Sequence, residues 1–340
     1  MTGLEKLKVG IIGCGAISGV HADAIMSSEN AVLTAVADID QDVCKEAAQR
    51  YGCTGYTDYY DMIRSEAIDA VHICTPHYLH VPMAIQALKA GKHVMVEKPI
   101  AIGVEEAGEL IEVAKAAGKH LGVAFQNRYN NTSKQAKALL EKKALGEIKG
   151  IKGLVTWYRD EAYYKDSSWR GRHDTEGGGV LINQAIHTLD LMQWFGGEML
   201  AIKGNIDTRM LDTVIEVEDT ADATVYYDKG AVGIFYATNC FTTNSSVEIE
   251  IHCEKGMLTI KDGELTKVCD GKKEMVVDDH HDGKYKSYWG DSHKKLIESF
   301  YKGIITDDET YYVTGEQSIC ALEMIKGIYA SAKTGKKYYF

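Results

Sequence analysis

From residue 7 to residue 125, short apolar runs alternate with segments whose apolar residues recur at helical spacing. The runs Leu7–Ile12, Val32–Ala37, Ala70–Thr75, His93–Val96 and Leu121–Phe125 read as strands. Between them, Ala16–Ser28, Gln41–Tyr51, Tyr78–Ala90 and Val104–Ala117 read as helices, with Leu110, Ile111, Ala114 and Ala117 on one face. Strands that are continuously apolar are buried on both sides, as in a parallel sheet flanked by helices. The pattern predicts a doubly wound α/β domain over residues 1–126.

Beyond a connecting helix at Ser133–Ala144 the runs lengthen and partly alternate: Ile148–Tyr158, Ala223–Tyr227, Ala231–Thr238 and Val247–His252. Asp228-Lys229-Gly230 between two of them is a hairpin signal. A helix over Val180–Phe195 interrupts this region, and helices at Asp291–Ile304 and Gly315–Thr334 close the chain. Residues 127–340 are therefore expected to form an α+β domain with a large, mostly antiparallel open sheet. Its C-terminal helix is a candidate to pack back on the first domain.

Composition narrows the function. The 340 residues are 45% hydrophobic and 26% charged, an ordinary globular chain of about two domains. A net charge of -11 argues against nucleic acid and against an anionic membrane surface as partners. No run approaches the ~20 apolar residues that span a bilayer. The polar start lacks a secretory pattern, and eight scattered cysteines without a C-x-x-C pair suit reduced thiols, so a cytoplasmic location is expected.

Gly13-Cys14-Gly15-Ala16-Ile17-Ser18 follows the first strand and opens the first helix. The first glycine permits a tight turn, and the second lets a pyrophosphate approach the backbone at the helix N-terminus. Asp38 ends the second strand, 20 residues beyond Ser18. Its carboxylate suits ribose hydroxyls and repels a 2'-phosphate, so NAD is expected over NADP. Thr75, Pro76, His77 and His80 follow the third strand and are expected beside the pyrophosphate and nicotinamide ribose. Glu97-Lys98-Pro99 leaves the buried strand His93–Val96. Lysine is rarely kept inside a protein, and the exit of a parallel strand is where such sheets hold ligands.

Asn183, His187 and Asp190 fall at i, i+4 and i+7 of the predicted helix, behind Gly177-Gly178-Gly179. An imidazole suits proton exchange with a hydroxyl being oxidised, and the glycines allow a close approach. Trp157, Arg159, Tyr163, Tyr164, Trp169, Arg170 and Arg172 offer aromatic faces and guanidinium groups that suit a pyranose ring. Asp278-Asp279-His280-His281-Asp282 reads as a polar turn, and no metal site is expected. Tyr288-Trp289-Gly290-Asp291-Ser292-His293 leads into a helix, with Asp291 or Ser292 as its cap and His293 as a further candidate for substrate contact.

Together, Gly13 to Ser18, Thr75 to His80, Glu97-Lys98-Pro99 and the stretch from Gly177 to Asp190 resemble the Gfo/Idh/MocA oxidoreductases, the glucose–fructose oxidoreductase and inositol dehydrogenase family. The resemblance spans nearly the whole chain. It implies a Rossmann domain, an open-sheet α/β domain, nicotinamide-dependent chemistry on a sugar or cyclitol carbon, and homodimers or homotetramers through the large sheet. It places the catalytic lysine at Lys98, contacting substrate and nicotinamide ribose with Glu97 beside it, and the catalytic histidine at His187. By the same analogy Arg128 and Tyr129 point to the substrate, joining Trp157, Trp169, Arg170, Asn183 and His187. Asn183 departs from the aspartate of inositol-dehydrogenase-like members and resembles some sugar-nucleotide 3-dehydrogenases. An amide holds a hydroxyl but is no charged acid–base partner. The leading reading is an NAD-dependent dehydrogenase of a ring hydroxyl, foremost the 3-hydroxyl of a hexose or glycoside. The alternatives are an inositol dehydrogenase, an NAD-recycling glycosidase acting by oxidation and elimination, and a non-catalytic NAD- and sugar-binding regulator.

Overall fold

A computed structural model describes residues 5–65, 67–279 and 292–340. The chain divides into two compact units, 1–126 with 292–319 and 127–291 with 320–340.

The first unit runs β1 (Leu7–Ile12), α1 (Ser18–Met26), β2 (Ala31–Ala37), α2 (Gln41–Tyr51), β3 (Thr54–Tyr56), α3 (Tyr59–Arg64), β4 (Ala70–Ile73), α4 (His80–Lys89), β5 (His93–Val96), α5 (Val104–Ala117) and β6 (Leu121–Val123). Its six strands are all parallel, in the order β3-β2-β1-β4-β5-β6. The order reverses between β1 and β4, so the loops leaving those two strands border the crevice where such sheets bind ligands. Each predicted strand and helix is present. β3 and α3 escape the periodicity: β3 has no apolar run, and α3 buries only Met62 and Ile63.

The second unit begins with α6 (Asn131–Glu141), β7 (Ile148–Thr156), α7 (Glu161–Lys165), α8 (Val180–Asn183), α9 (Ile186–Gly196), β8 (Met199–Asp207), β9 (Thr220–Tyr227) and β10 (Val232–Thr238). It continues with β11 (Glu248–Cys253), β12 (Gly256–Lys261), β13 (Glu264–Cys269) and β14 (Lys272–Asp278). The chain closes with α10 (His293–Thr306), α11 (Gly315–Thr334) and β15 (Tyr338–Tyr339). Nine strands form one sheet, β14-β13-β12-β11-β7-β10-β9-β8-β15, antiparallel except where β10 lies beside β7. α9 packs on β7. On β10, Phe235 is buried while Val232 and Ile234 face outward.

The strands β12 to β14 carry no long apolar run, and β14 is mostly charged. Their signal is the paired Asp262-Gly263 and Asp270-Gly271, with φ of 53, 74, 51 and 72°. Two successive left-handed residues make the tight turn that twists with a hairpin. The helix expected over Val180–Phe195 is in fact two, broken at Gln184-Ala185, where Ala185 N–H donates to Val180 O at 2.8 Å. Asn183 and His187 consequently sit on different helices.

α10 groups with the first unit, although the sequence reading grouped it with the second domain. Leu296, Ile297, Phe300 and Tyr301 are fully buried, and α10 packs on α1. The Phe300 ring would lie 2.8 Å from a Cβ at Gly122. Periodicity reveals that a helix has a buried face, not which sheet buries it. No described helix is long and apolar enough to cross a membrane.

Candidate active site

The chain leaves β1 through Gly13, at φ 89°. A Cβ there would meet Cys74 C and O and Thr75 Cγ2 at 2.9 Å, so conformation and space both require glycine. Gly15 differs: nothing lies within 4 Å of its Cβ position, and it is exposed. Among the described residues no contact accounts for that glycine, whereas a pyrophosphate on the backbone would. Ala16 is exposed and Ile17 half-buried, and Ser18 opens α1 with its hydroxyl on Gly15 O at 2.7 Å. Asp38 accepts Cys14 N–H at 2.8 Å and Asp40 N–H at 2.9 Å, which fastens it to the glycine loop. Burial, with Asp38 beside it, pushes the Cys14 thiol up to about 12, so it stays protonated. Thr75 Oγ1 is buried without a hydrogen-bond partner among the described residues. An open glycine, an orphaned hydroxyl and a strand-end carboxylate together fit a dinucleotide.

After Pro76, His77 is buried, its ring 5.7 Å from that of His80. His80 is fully buried, with Nδ1 2.7 Å from Pro99 O and Nε2 2.9 Å from Thr75 O. Burial lowers its pKa against the pull of the two carbonyls. His80, expected as a cofactor contact, stands between the Thr75 and Pro99 loops with a carbonyl oxygen against each ring nitrogen, and the single N–H of a neutral imidazole serves one of them.

In the run 94–101 every residue is buried except Lys98. The preceding Glu97 belongs to a buried network. His21 Nε2 lies 2.9 Å from Glu97 Oε1 and its Nδ1 2.8 Å from His72 Nδ1, while His72 Nε2 lies 2.9 Å from the Tyr301 hydroxyl. Burial alone would lower His21, but Cys74 and Glu97 outweigh it and raise it to about 10. Burial would raise Glu97, yet His21, with His293 and Lys98, holds it at about 2. Burial and then the His21 charge push His72 well below its usual range. The chain thus reads as anionic Glu97, a His21 cation donating at both nitrogens, neutral His72 and Tyr301. Glu97 Oε2 also accepts the Lys98 N–H at 3.2 Å, and the Lys98-Pro99 peptide is cis. His293 is buried with Nε2 3.8 Å from Glu97 Oε1, so it faces this network. The donor atoms of His21, Glu97 and His293 lie within 4.8 Å, but the 2.9 Å His21–Glu97 approach is already that of a hydrogen bond.

This pair makes stability pH-dependent in two directions. The lowered Glu97 contributes above its unfolded pKa near 4.5 and loses that contribution as pH falls toward 2. The raised His21 contributes fully below 6.5 and loses it as pH climbs through 10. The Tm gap between wild type and Glu97→Gln is therefore expected to be widest between about pH 4.5 and 6.5 and to narrow on both sides. Thermal melts across that range check it, and a flat gap refutes the pairing.

In the second unit, residues 178–192 are buried except Asn183 and His187, which are half-buried. The glycine triplet serves a close approach to protein. A Cβ on Gly179 would lie 1.8 Å from Glu218 O, and one on Gly178 2.2 Å from the Tyr329 hydroxyl. The Glu218 carboxylate accepts Gly179 N–H at 3.1 Å and Leu181 N–H at 3.0 Å, and Tyr329 donates to it at 2.9 Å. Glu218 thus fills the N-terminus of α8. Asn183 Nδ2 donates to Glu176 and lies 3.4 Å from the Tyr163 hydroxyl.

Of the other expected substrate residues, Trp169 and Arg170 are half-buried, and Arg170 stacks 4.4 Å from the Tyr163 ring and 5.2 Å from Trp169. Three lie in the interior. Trp157 donates from Nε1 to Ser245 O at 3.0 Å. Tyr129 is buried under Lys134, 4.7 Å from its ring. Arg128 grips Asp190 from Nε at 2.8 Å and Nη2 at 2.6 Å. Asp190 therefore anchors α9 to Arg128. Glu176, Glu218, His21, His72 and Tyr301 went unremarked in the sequence, where only Glu176, next to the triplet, has a local signal. Asp279 holds the start of α6, accepting Thr132 N–H at 3.2 Å and its hydroxyl at 2.6 Å. Ser292 stands at the N-cap of α10 without a side-chain cap bond. His280 to Asp282 and Tyr288 to Asp291 lie outside the described residues.

A six-stranded parallel sheet with a dinucleotide loop at its switch point, joined in one chain to an open antiparallel sheet, is the build of a two-domain nicotinamide oxidoreductase. The chain belongs to the Gfo/Idh/MocA family. Residues 7–125 match its "Oxidoreductase family, NAD-binding Rossmann fold" domain and residues 137–340 its "C-terminal alpha/beta domain". Levoglucosan dehydrogenase of Pseudarthrobacter phenanthrenivorans is 29% identical over 75% of this chain and 73% of its own. Myo-inositol 2-dehydrogenase of Thermotoga maritima is 25% identical over 93% of each. The crystal structure of the WlbA dehydrogenase from Bordetella pertussis in complex with NADH and UDP-GlcNAcA superposes with a TM-score of 0.86, at 28% identity and 99% coverage of both chains.

Proposed function

We propose that this protein is an NAD-dependent dehydrogenase that moves hydride between nicotinamide and a ring hydroxyl or ketone of a sugar, glycoside or sugar derivative, with Lys98 and His187 handling the proton. The observation that carries this reading is selective exposure: Lys98 alone in 94–101, and Asn183 with His187 alone in 178–192, leave the core. Backbone from Gly13 to Ile17 and the Thr75 hydroxyl would hold the pyrophosphate, and Asp38 the adenosine ribose. Pro76, His77 and Glu97 border the nicotinamide side. Bound NAD supplies the hydride acceptor. The Lys98 ammonium stabilises developing alkoxide charge, His187 takes the hydroxyl proton, and Asn183 holds a neighbouring hydroxyl.

The relatives' names support a sugar or cyclitol, and Asn183 favours a sugar over inositol. The outward Val232 and Ile234, 38% and 62% exposed on an inner strand of the sheet, support a homodimer or homotetramer through that face. Eight cysteines outside any disulfide support a cytoplasmic location.

The test is to offer levoglucosan, free hexoses, glycosides, myo-inositol and UDP-GlcNAcA with NAD or NADP and follow nicotinamide absorbance. NAD reduction by a sugar is the expected result. Sugar release without net reduction would mark the recycling glycosidase, and tight NAD binding without turnover the regulator. Asp38→Ala is expected to cut kcat/KM for NAD by about 10-fold or more and to narrow its preference over NADP. An unchanged NAD to NADP ratio in that assay refutes the ribose role.

A further inference from the structure

A buried carboxylate stands directly behind the half-buried Asn183 amide. Glu176 is 1% exposed. Its Oε1 accepts Asn183 Nδ2–H and its Oε2 accepts Gly171 N–H, each at 2.5 Å. Gly171, at φ 75° and with Ile215 Cγ2 2.7 Å from its Cβ position, admits no side chain, so the backbone passes close enough to give Glu176 this donor. A primary amide donates at one end and accepts at the other. With Nδ2 turned to Glu176 and the Tyr163 hydroxyl, Oδ1 is the end of Asn183 that faces the other way.

We infer that Glu176 is a positioning residue: by accepting from Asn183 it fixes the amide so that Asn183 presents a carbonyl oxygen to a substrate hydroxyl, as an aspartate would, with the negative charge kept one hydrogen bond further inside. The inference rests on Asn183 belonging to the substrate site. It brings a pH dependence. Burial pushes Glu176 up to about 7, with Glu218 adding to the rise, against the Gly171 and Asn183 hydrogen bonds and the Arg170 charge. Tyr164 and Tyr329 also feel the Glu176 charge, and burial keeps both protonated. Protonated Glu176 becomes a donor and no longer fixes the amide.

Two measurements test this on the NADH-loaded protein. In carbon-13 NMR of Glu carboxyl-labelled enzyme, the signal lost in Glu176→Gln should titrate near neutrality. Its midpoint should rise by about 0.5 pH unit or more in Asn183→Ala, because a bond to the charged form is gone. This titration needs no substrate, and an ordinary midpoint or one indifferent to Asn183→Ala overturns the inference.

The second measurement is exchange across the bond, with the sugar that gives turnover. In Glu176→Gln the Gly171 N–H claims the one acceptor end, so Nε2 meets Asn183 and turns its amide round. That variant is expected to lose about 10-fold in kcat/KM and the limb of the pH profile near neutrality. Adding Asn183→Asp restores a donor–acceptor pair in reverse, with recovery to within about threefold expected. Indifference to Glu176→Gln where Asn183→Ala is impaired overturns the inference alone. Full turnover in Asn183→Ala overturns the site reading beneath it.

Discussion

Lys98→Met is expected to lower turnover by about 10³-fold while NADH binding stays within about threefold of wild type. Methionine keeps the length of the side chain and removes only the charge and its protons. The buried supports survive the change: Glu97 is held first by His21, and Lys98 contributes the least of the causes that lower its pKa. The loss should appear in kcat, with melting temperature unmoved, because Lys98 is the one residue of its run outside the core. His187→Ala is expected in the same range. If both groups serve one proton transfer, the double variant will be little worse than the poorer single. Steady-state kinetics beside a fluorescence titration of NADH checks this. A Lys98→Met enzyme within 10-fold of wild type removes the lysine from the chemistry.

What was legible in the sequence divides by the range of the signal. β1, α2, β5, α5 and α11 run to the residue where the periodicity put them, because a continuous apolar run or a helical face is a local property. The positions of the glycine loop, Asp38 and Lys98 at the ends of β1, β2 and β5 were legible because each stands at a fixed offset from a strand end. The Glu97–His21–His72–Tyr301 network was not, since Tyr301 lies 229 positions from the His72 ring it meets. Likewise the glycine triplet announced a close approach without naming Glu218 as the neighbour. Arg128 and Trp157 show a different limit. Both have the chemistry to hold a sugar, yet both side chains are buried, Arg128 on Asp190 and Trp157 on Ser245 O, which composition near a motif cannot disclose.

Arg128 gives the sharpest contrast between the two readings. As a substrate ligand, Arg128→Leu would raise KM and leave the melting temperature in place. As half of a buried ion pair it should destabilise the protein by about 3–5 kcal/mol, because Asp190 would remain in the core without its cation. Asp190 is 1% exposed and Arg128 6%, so little water reaches either. Arg128→Leu with Asp190→Leu removes both charges and should cost less than Arg128→Leu alone. The pH dependence follows in sign. Burial already raises the Asp190 pKa against the pull of Arg128, and loss of the guanidinium raises it further. A carboxyl raised in the folded state favours folding at low pH and disfavours it as pH rises. The deficit of Arg128→Leu should therefore shrink on acidification from pH 8 to about pH 5. Urea melts at the two pH values decide it. A single variant as stable as wild type returns Arg128 to the substrate, and a double variant worse than the single means that the pair is not what holds α9.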